Sequence, residues 1–313
     1  MKLRVTQLKW EAAGIVSVEL RSPTRERLPA WTPGAHVPVT LPSGLMRQYS
    51  LCGSADDPYS YTVAVFLVGD GRGGSREIHQ RLRIGEVLEV GEPRNNFELA
   101  EAARYLFFAG GVGITPILAM IESLQRRLDP PPWRLVYGGR DREAMAFVER
   151  LPVRDEVVLV PQDEAGFPDI AGALAASPTG TAVYCCGPPA MIAAVQDACE
   201  RHPELTLHVE RFTAAAAEMP VADGGAFDVE LARTGLTVTV PEGTSVLDAV
   251  LEVNPDAAYS CAAGFCGTCE TKVLAGEVDH RDELLSDAER SANATMMICV
   301  SRSRDGGKLT LDL

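Results

Sequence analysis

The chain is 313 residues long, enough for two or three domains, with the 46% apolar and 23% charged content of an ordinary globular protein. Its formal net charge of −14 argues against nucleic acid or an anionic membrane as partner. No apolar run reaches the ~18 residues of a membrane span. The opening Met1-Lys2-Leu3-Arg4-Val5 runs straight into an alternating strand pattern without a signal peptide's apolar core. Cys52, Cys185, Cys186 and Cys199 show no disulfide-framework spacing, which predicts a reducing, cytoplasmic setting.

Residues 1 to about 99 read as short strands broken by Gly and Pro: Val16–Leu20, His36–Leu41, Tyr61–Val68 and Val87–Val90. Their period-two alternation suits a small antiparallel barrel. Within it, Arg47-Gln-Tyr-Ser-Leu51 places Arg47, Tyr49 and Leu51 on one strand face, Gln48 and Ser50 on the other. Gly71-Arg-Gly-Gly-Ser75 opens an expected helix over Arg76–Arg83, with Ser75 as N-cap. It offers backbone N–H groups to a phosphate, or is a plain turn.

From about Ala100 the pattern changes. The apolar run Arg104-Tyr-Leu-Phe-Phe-Ala109 reads as a buried parallel strand. It leads through Gly110-Gly-Val-Gly-Ile-Thr-Pro116 into an amphipathic helix, Ile117–Leu128, with Thr115 as the expected cap and Pro116 in the first turn. Glycines there let a pyrophosphate approach the helix's positive end, although Pro116 stands where a full dinucleotide fingerprint has its third glycine. Two more strand-to-turn units follow: Trp133–Tyr137 into Gly138-Gly-Arg-Asp141, and Ala182–Cys186 into Gly187-Pro-Pro189. Alternating strands and helices predict a doubly wound α/β domain with its ligand at the C-terminal strand ends. Asp141 either accepts from a ribose hydroxyl, favouring NADH over NADPH, or caps the helix beginning near Arg142. Arg140 and Arg142 could instead attract the extra phosphate.

Thr213–Ala226 reads as a linker in which Pro220 and Gly224-Gly225 interrupt an alanine run. Beyond it, Phe227–Val240 alternates like a hairpin, Ser245–Val250 like a short helix and Lys308–Leu313 like a closing strand. This last segment, Phe227–Leu313, holds 15 acidic and 7 basic residues, a net −8. That is a solvated surface or a face that steers a basic redox partner.

Cys261-Ala-Ala-Gly-Phe-Cys266-Gly-Thr-Cys269, followed after 29 residues by Cys299, has the spacing of a plant-type [2Fe–2S] site. A zinc site would pair a second C-x2-C unit or two histidines with the single C-x2-C present. Gly264 and Gly267 let the loop wind tightly.

These segments together resemble the phthalate dioxygenase reductase family, which includes vanillate demethylase reductase subunits, within the ferredoxin reductase superfamily. The motifs are Arg47–Leu51, Gly71–Ser75, Ala109–Pro116, Tyr184-Cys-Cys-Gly-Pro188, His208-Val-Glu-Arg-Phe212 and the cysteine loop, and the resemblance covers essentially the whole chain. It implies a multidomain fold: an antiparallel FMN-binding barrel (1–99), a doubly wound NADH-binding α/β domain (100–213), a linker (214–226) and a β-grasp-like [2Fe–2S] ferredoxin domain (227–313). By the same resemblance Arg47, Tyr49 and Ser50 hold the flavin, with Ala64 and Val65 beside it and Gly73, Gly74 and Ser75 on its phosphate. Gly111, Gly113 and Thr115 meet NADH, Arg140 and Asp141 its adenosine end. Cys186 sits near the nicotinamide, shaping the site rather than attacking. Phe212 covers the flavin ring, and Cys261, Cys266, Cys269 and Cys299 ligate the cluster. Ser50, Thr115, Cys186 and Phe212 form the expected reacting centre. The implied activity is electron transfer from NADH through FMN and the cluster to a terminal oxygenase, of Rieske type or alternatively a cytochrome P450, by a monomer. A redox-sensing iron–sulfur flavoprotein is the reading from a different class.

Overall fold

The computed structural model describes residues 1–69, 73–212, 225–255, 257–259, 264, 267–282 and 284–313. Two compact units emerge, Met1–Phe212 and Thr213–Leu313. The expected linker lies outside the described residues except for Gly225 and Ala226.

The first unit opens with β1 (Lys2–Ala12), β2 (Ile15–Arg21), β3 (His36–Thr40), β4 (Met46–Ser50), β5 (Ser60–Phe66), α1 (Gly74–Gln80) and β6 (Val87–Val90). These strands make one antiparallel sheet in the order β4-β3-β6-β1-β2-β5. Its ends meet where Leu51 bridges Val63 and the Cys52 N–H donates to Thr62 O at 2.9 Å, so the sheet closes into the expected barrel. Alternate residues fill the interior, among them Leu3, Val5, Val37, Val39, Leu51, Tyr61, Val63 and Val65.

Then follow β7 (Arg104–Gly110), α2 (Ile114–Gln125), β8 (Trp133–Gly139), β9 (Val157–Pro161), α3 (Gln162–Ala165), α4 (Ile170–Ala175), β10 (Thr181–Cys186), α5 (Pro189–Cys199) and β11 (Thr206–Glu210). The strands form a parallel sheet ordered β11-β10-β7-β8-β9. Helix α2 packs on one face through Ile114, Ile117, Leu118, Ile121 and Leu124, while α4 and α5 cover the other through Leu174, Ile192 and Val195. Side chains so buried contribute roughly 1.5–3 kcal/mol each. The α2 face continues into the barrel, since Ala12, Ile15, Cys52, Ala64 and Phe97 belong to its cluster. Tyr184 fastens the crossing between the sheets: its hydroxyl donates to Glu98 O at 2.9 Å and accepts from the Ala100 N–H at 2.7 Å. The order reverses between β7 and β10, and a doubly wound sheet opens its ligand crevice at that switch point.

Two helix starts differ from expectation. Helix α2 begins at Ile114, because a 3-10 turn over Gly111–Gly113 feeds directly into it. Thr115 is therefore inside the first turn rather than capping it, and its hydroxyl donates to Val112 O at 2.9 Å. Helix α1 begins at Gly74 after a left-handed Gly73 (φ +90°), and Ser75 Oγ accepts from the Val68 N–H at 3.1 Å instead of capping.

The second unit contains β12 (Phe227–Leu231), β13 (Leu236–Val240), α6 (Val246–Val253), β14 (Glu270–Ala275), β15 (Val278–Asp279), α7 (Asp287–Ala292), β16 (Thr295–Met297), β17 (Arg302–Ser303) and β18 (Leu309–Leu311). The mixed sheet runs β13-β12-β18-β14-β16, with β15 and β17 paired apart from it. The chain's last strand is thus central, parallel to β12 and antiparallel to β14. Helix α6 is capped by Ser245, whose hydroxyl accepts from the Asp248 N–H, and buries Val246, Leu247, Ala249 and Val250 in the sheet's core.

Candidate active site and cluster loop

The barrel contributes strand β4. Arg47 runs alongside the start of α1, so that a Cβ on Gly74 would lie 2.9 Å from Arg47 Nε. The absence of a side chain on Gly74 leaves room for this approach, which brings the guanidinium to the helix's first turn, where an anionic group is favoured. Tyr49 is half-buried against the barrel core, and burial pushes its phenol well above the usual range. Ser50 is buried and, as alternation requires, turns to the opposite side from Tyr49. On β5, Ala64 joins the α2-side core and Val65 the barrel interior.

The α/β sheet contributes the loops after β7 and β10. A Cβ on Gly113 would stand 2.2 Å from the Cys186 carbonyl oxygen, and one on Gly110 2.4 Å from Pro188 Cδ. The loops therefore interlock at the switch point through glycine alone. Gly111 adopts φ +54°, and its carbonyl accepts from the Tyr137 hydroxyl at 3.2 Å. Thr115 is buried. Cys186 is fully buried at the end of β10, and burial raises its thiol well above the ordinary value, with Glu210 raising it further. A thiol held protonated is a poor nucleophile, in keeping with a shaping role.

Glu210 stands inside the His208–Phe212 motif, but received no role from the sequence. It ends β11 in register with Cys186, and Ser50 Oγ donates to its Oε2 at 3.4 Å. Burial pushes its carboxyl up to about 8. Ser50, Cys186 and Glu210 thus come together from β4, β10 and β11. Phe212, two residues beyond, is 39% exposed.

Asp141 is half-buried and caps a 3-10 turn: Oδ1 accepts from the Ala144 N–H at 2.8 Å and Oδ2 from Arg140 Nε at 3.1 Å. Arg140, then the Ala144 N–H, lowers its carboxyl below the usual range. Arg142 is paired with Glu164 through three hydrogen bonds.

In the second unit, Cys269 immediately precedes β14 and Cys299 follows β16. Pairing of Glu270 with Met297 brings their sulfurs to 3.1 Å. Two buried thiols converging at that distance with no disulfide between them are a donor pair suited to a thiophilic metal centre. Gly264 and Gly267 adopt φ +77° and +73°, the left-handed conformation that a tight loop requires. Cys261 and Cys266 lie outside the described residues, as do Gly71 and Arg72.

A closed barrel sharing its core with a doubly wound sheet, followed by a cysteine-bearing β-grasp-like unit, defines a flavin- and nicotinamide-dependent reductase joined to a ferredoxin. Residues 229–304 match the family of 2Fe-2S iron-sulfur cluster binding domains. Over 316 residues the chain is 40% identical to phenoxybenzoate dioxygenase subunit beta of Ectopseudomonas oleovorans, covering 100% of this chain and 97% of that protein. Among solved structures, phthalate dioxygenase reductase superposes with a TM-score of 0.74 at 34% identity, covering 100% of this chain and 98% of that one. An intact type IV self-sufficient cytochrome P450 monooxygenase superposes with a TM-score of 0.85 at 41% identity over the whole chain, which spans 41% of that structure's length. The chain belongs to the phthalate dioxygenase reductase family. As a member it is an oxidoreductase, the reductase component of an oxygenase system, with NADH, FMN and a [2Fe–2S] cluster as its cofactors.

Proposed function

We propose that this chain serves a Rieske-type aromatic oxygenase or O-demethylase, taking hydride from NADH in its first unit and releasing single electrons from its second. FMN, when bound, converts the two-electron hydride into one-electron steps. Arg47 and the Gly73–Ser75 turn would hold the flavin's phosphate, with Tyr49, Ser50, Ala64, Val65 and Phe212 around its ring. Gly111, Gly113 and Thr115 would receive the dinucleotide at the switch point, with Cys186 limiting the depth to which a nicotinamide enters. Cys261, Cys266, Cys269 and Cys299 would hold the cluster. No side chain needs to act as a nucleophile, since the chain binds, orients and excludes water.

The observation that carries this reading is the 3.1 Å approach of Cys269 to Cys299 in a chain that also holds the interlocked loops of a dinucleotide crevice. The test compares the parent with Cys269→Ser. The variant should still reduce ferricyanide with NADH while its reduction of a purified Rieske oxygenase collapses. Transfer at the parental rate would remove the cluster from the path.

A cytochrome P450 acceptor is the second reading, favoured by the 41% identity to a reductase region within a self-sufficient P450. Parallel assays with each oxygenase class decide between them. We further read the protein as a cytoplasmic monomer, on the absence of disulfides at Cys52, Cys185, Cys186 and Cys199 among the described residues and on the family resemblance. Among the described residues no helix is long and apolar enough to cross a membrane.

A further inference from the structure

Asp282 of the second unit has a fully buried side chain. Its Oδ2 accepts from the backbone N–H groups of Leu284 and Leu285 at 3.2 and 2.8 Å. Its Oδ1 lies 3.5 Å from the Ser301 hydroxyl, which donates to it, and 3.8 Å from Nδ1 of His280. That imidazole is also buried, with no hydrogen-bond partner on either ring nitrogen among the described residues. Arg290 approaches from α7: its Nη2 donates to the Asp282 carbonyl at 2.5 Å and stands 3.9 Å from Oδ2. Nearby, Arg281 is paired with Asp279 at 2.7 Å.

This segment meets the cysteine loop twice. A Cβ on Gly264 would lie 3.2 Å from the Cα of Asp282, and one on Gly267 would lie 2.9 Å from Leu284 Cδ2. Gly264 stands between Cys261 and Cys266, Gly267 between Cys266 and Cys269, and Ser301 two residues past Cys299. Asp282 and Leu284 therefore pack against Gly264 and Gly267, and the Asp282 carboxylate reaches Ser301 beside Cys299.

We propose that Asp282, with Arg290 opposing it, is a positioning residue that sets the reduction potential of the [2Fe–2S] centre. The inference rests on the cluster assigned to this unit. A cluster gains negative charge when reduced, and charges in a poorly solvated interior act strongly on it. A carboxylate behind the loop makes reduction harder and the departing electron more reducing; a guanidinium beside it offsets part of that effect. Hydrogen bonds to Leu284, Leu285 and Ser301 hold the charge at one place relative to the loop.

The test is a spectroelectrochemical titration of the full-length holoprotein, following the cluster and the flavin separately. Asp282→Asn should shift the cluster midpoint upward and Arg290→Gln downward. Asp282→Glu, which keeps the charge, should stay near the parent, and the flavin midpoint should not move. Shifts of the same sign in the two neutralising variants, or none with the cluster spectrum intact, would overturn the proposal. If Asp282→Asn fails to retain its cluster, the sign of the Arg290→Gln shift decides alone. A parent without a cluster spectrum would overturn the cluster assignment and this proposal with it.

Discussion

Ser50 Oγ donates to Glu210 Oε2 at 3.4 Å, joining the end of β4 to the end of β11 across 160 positions of chain. Burial raises the Glu210 carboxyl to about 8, and the Ser50 hydrogen bond only partly opposes this. In the unfolded chain the same group ionises near its ordinary 4.5. The native state therefore loses relative stability as pH climbs from 4.5 to about 8, and loses no more beyond it. Glu210→Gln removes that loss. Its stability relative to the parent should rise across this window, by on the order of 2 kcal/mol at a half-buried site. Urea denaturation of the holoproteins at stepped pH measures it, and a pH-independent difference would count against a raised carboxyl.

Gly113 and Gly111 provide a paired test of the crevice. Alanine at Gly113 would place its Cβ 2.2 Å from the Cys186 carbonyl oxygen, a clash with backbone that only a shift of one loop relieves. Overpacking of this kind costs ~1–3 kcal/mol. Gly111→Ala meets nothing within 4 Å and pays only for its φ of +54°, ~1 kcal/mol. Thermal unfolding should rank Gly113→Ala as the more damaged, with the larger rise in KM for NADH and FMN content near parental. Equal effects would mean that the loops yield freely.

The contrast between residues that were legible in the chain and Glu210, which was not, has a physical cause. Cysteine spacing, the glycine turn after an apolar strand and the Arg47–Leu51 alternation are local patterns, readable because a loop's reach or a strand's period dictates them. Glu210 depends on β11 lying beside β10 and on β4 arriving from a different sheet. A lone glutamate at a strand end carries no spacing signal for such an encounter. Thr115 and Ser75 illustrate the opposite error. Each is a good cap by type, but glycines before them enter the helix geometry first, so both helices start earlier and both hydroxyls find other partners. The last strand was legible as a strand, yet its central position was not, because parallel pairing with β12 is set by the whole sheet.

Arg47 should decide FMN retention. Its side chain lies against Gly74 at the start of α1, and a charge-assisted hydrogen bond contributes ~1.5–3 kcal/mol. Arg47→Ala should therefore weaken FMN binding by about 10- to 150-fold, with the barrel still folded. Fluorescence titration of stripped protein with FMN checks this, and mass analysis of the cofactor released from the parent checks its identity. Release of FAD would revise the flavin.

Nucleotide choice is the sharpest test of Asp141, whose two oxygens already accept from the Ala144 N–H and Arg140 Nε. The cap and the carboxylate's charge predict different outcomes. If Asp141 only caps, its replacement costs about 0.5–2 kcal/mol of stability and leaves the ratio of the two nucleotides alone. If it also faces the adenosine ribose, its charge repels a 2′-phosphate, while a remaining lone pair accepts from a 2′-hydroxyl. The flanking arginines sharpen the contrast. Arg142 is engaged by Glu164 and Arg140 by Asp141 itself, so removing the carboxylate releases Arg140 toward an incoming phosphate. Asp141→Ala should raise kcat/KM for NADPH and lower it for NADH, narrowing the preference by ~1–3 kcal/mol. Asp141→Asn keeps a capping oxygen but not the charge, and should narrow the preference with less loss of stability. A ratio unchanged in both variants, alongside the stability loss in Asp141→Ala, would leave Asp141 as a cap and place the determinant elsewhere on the crevice.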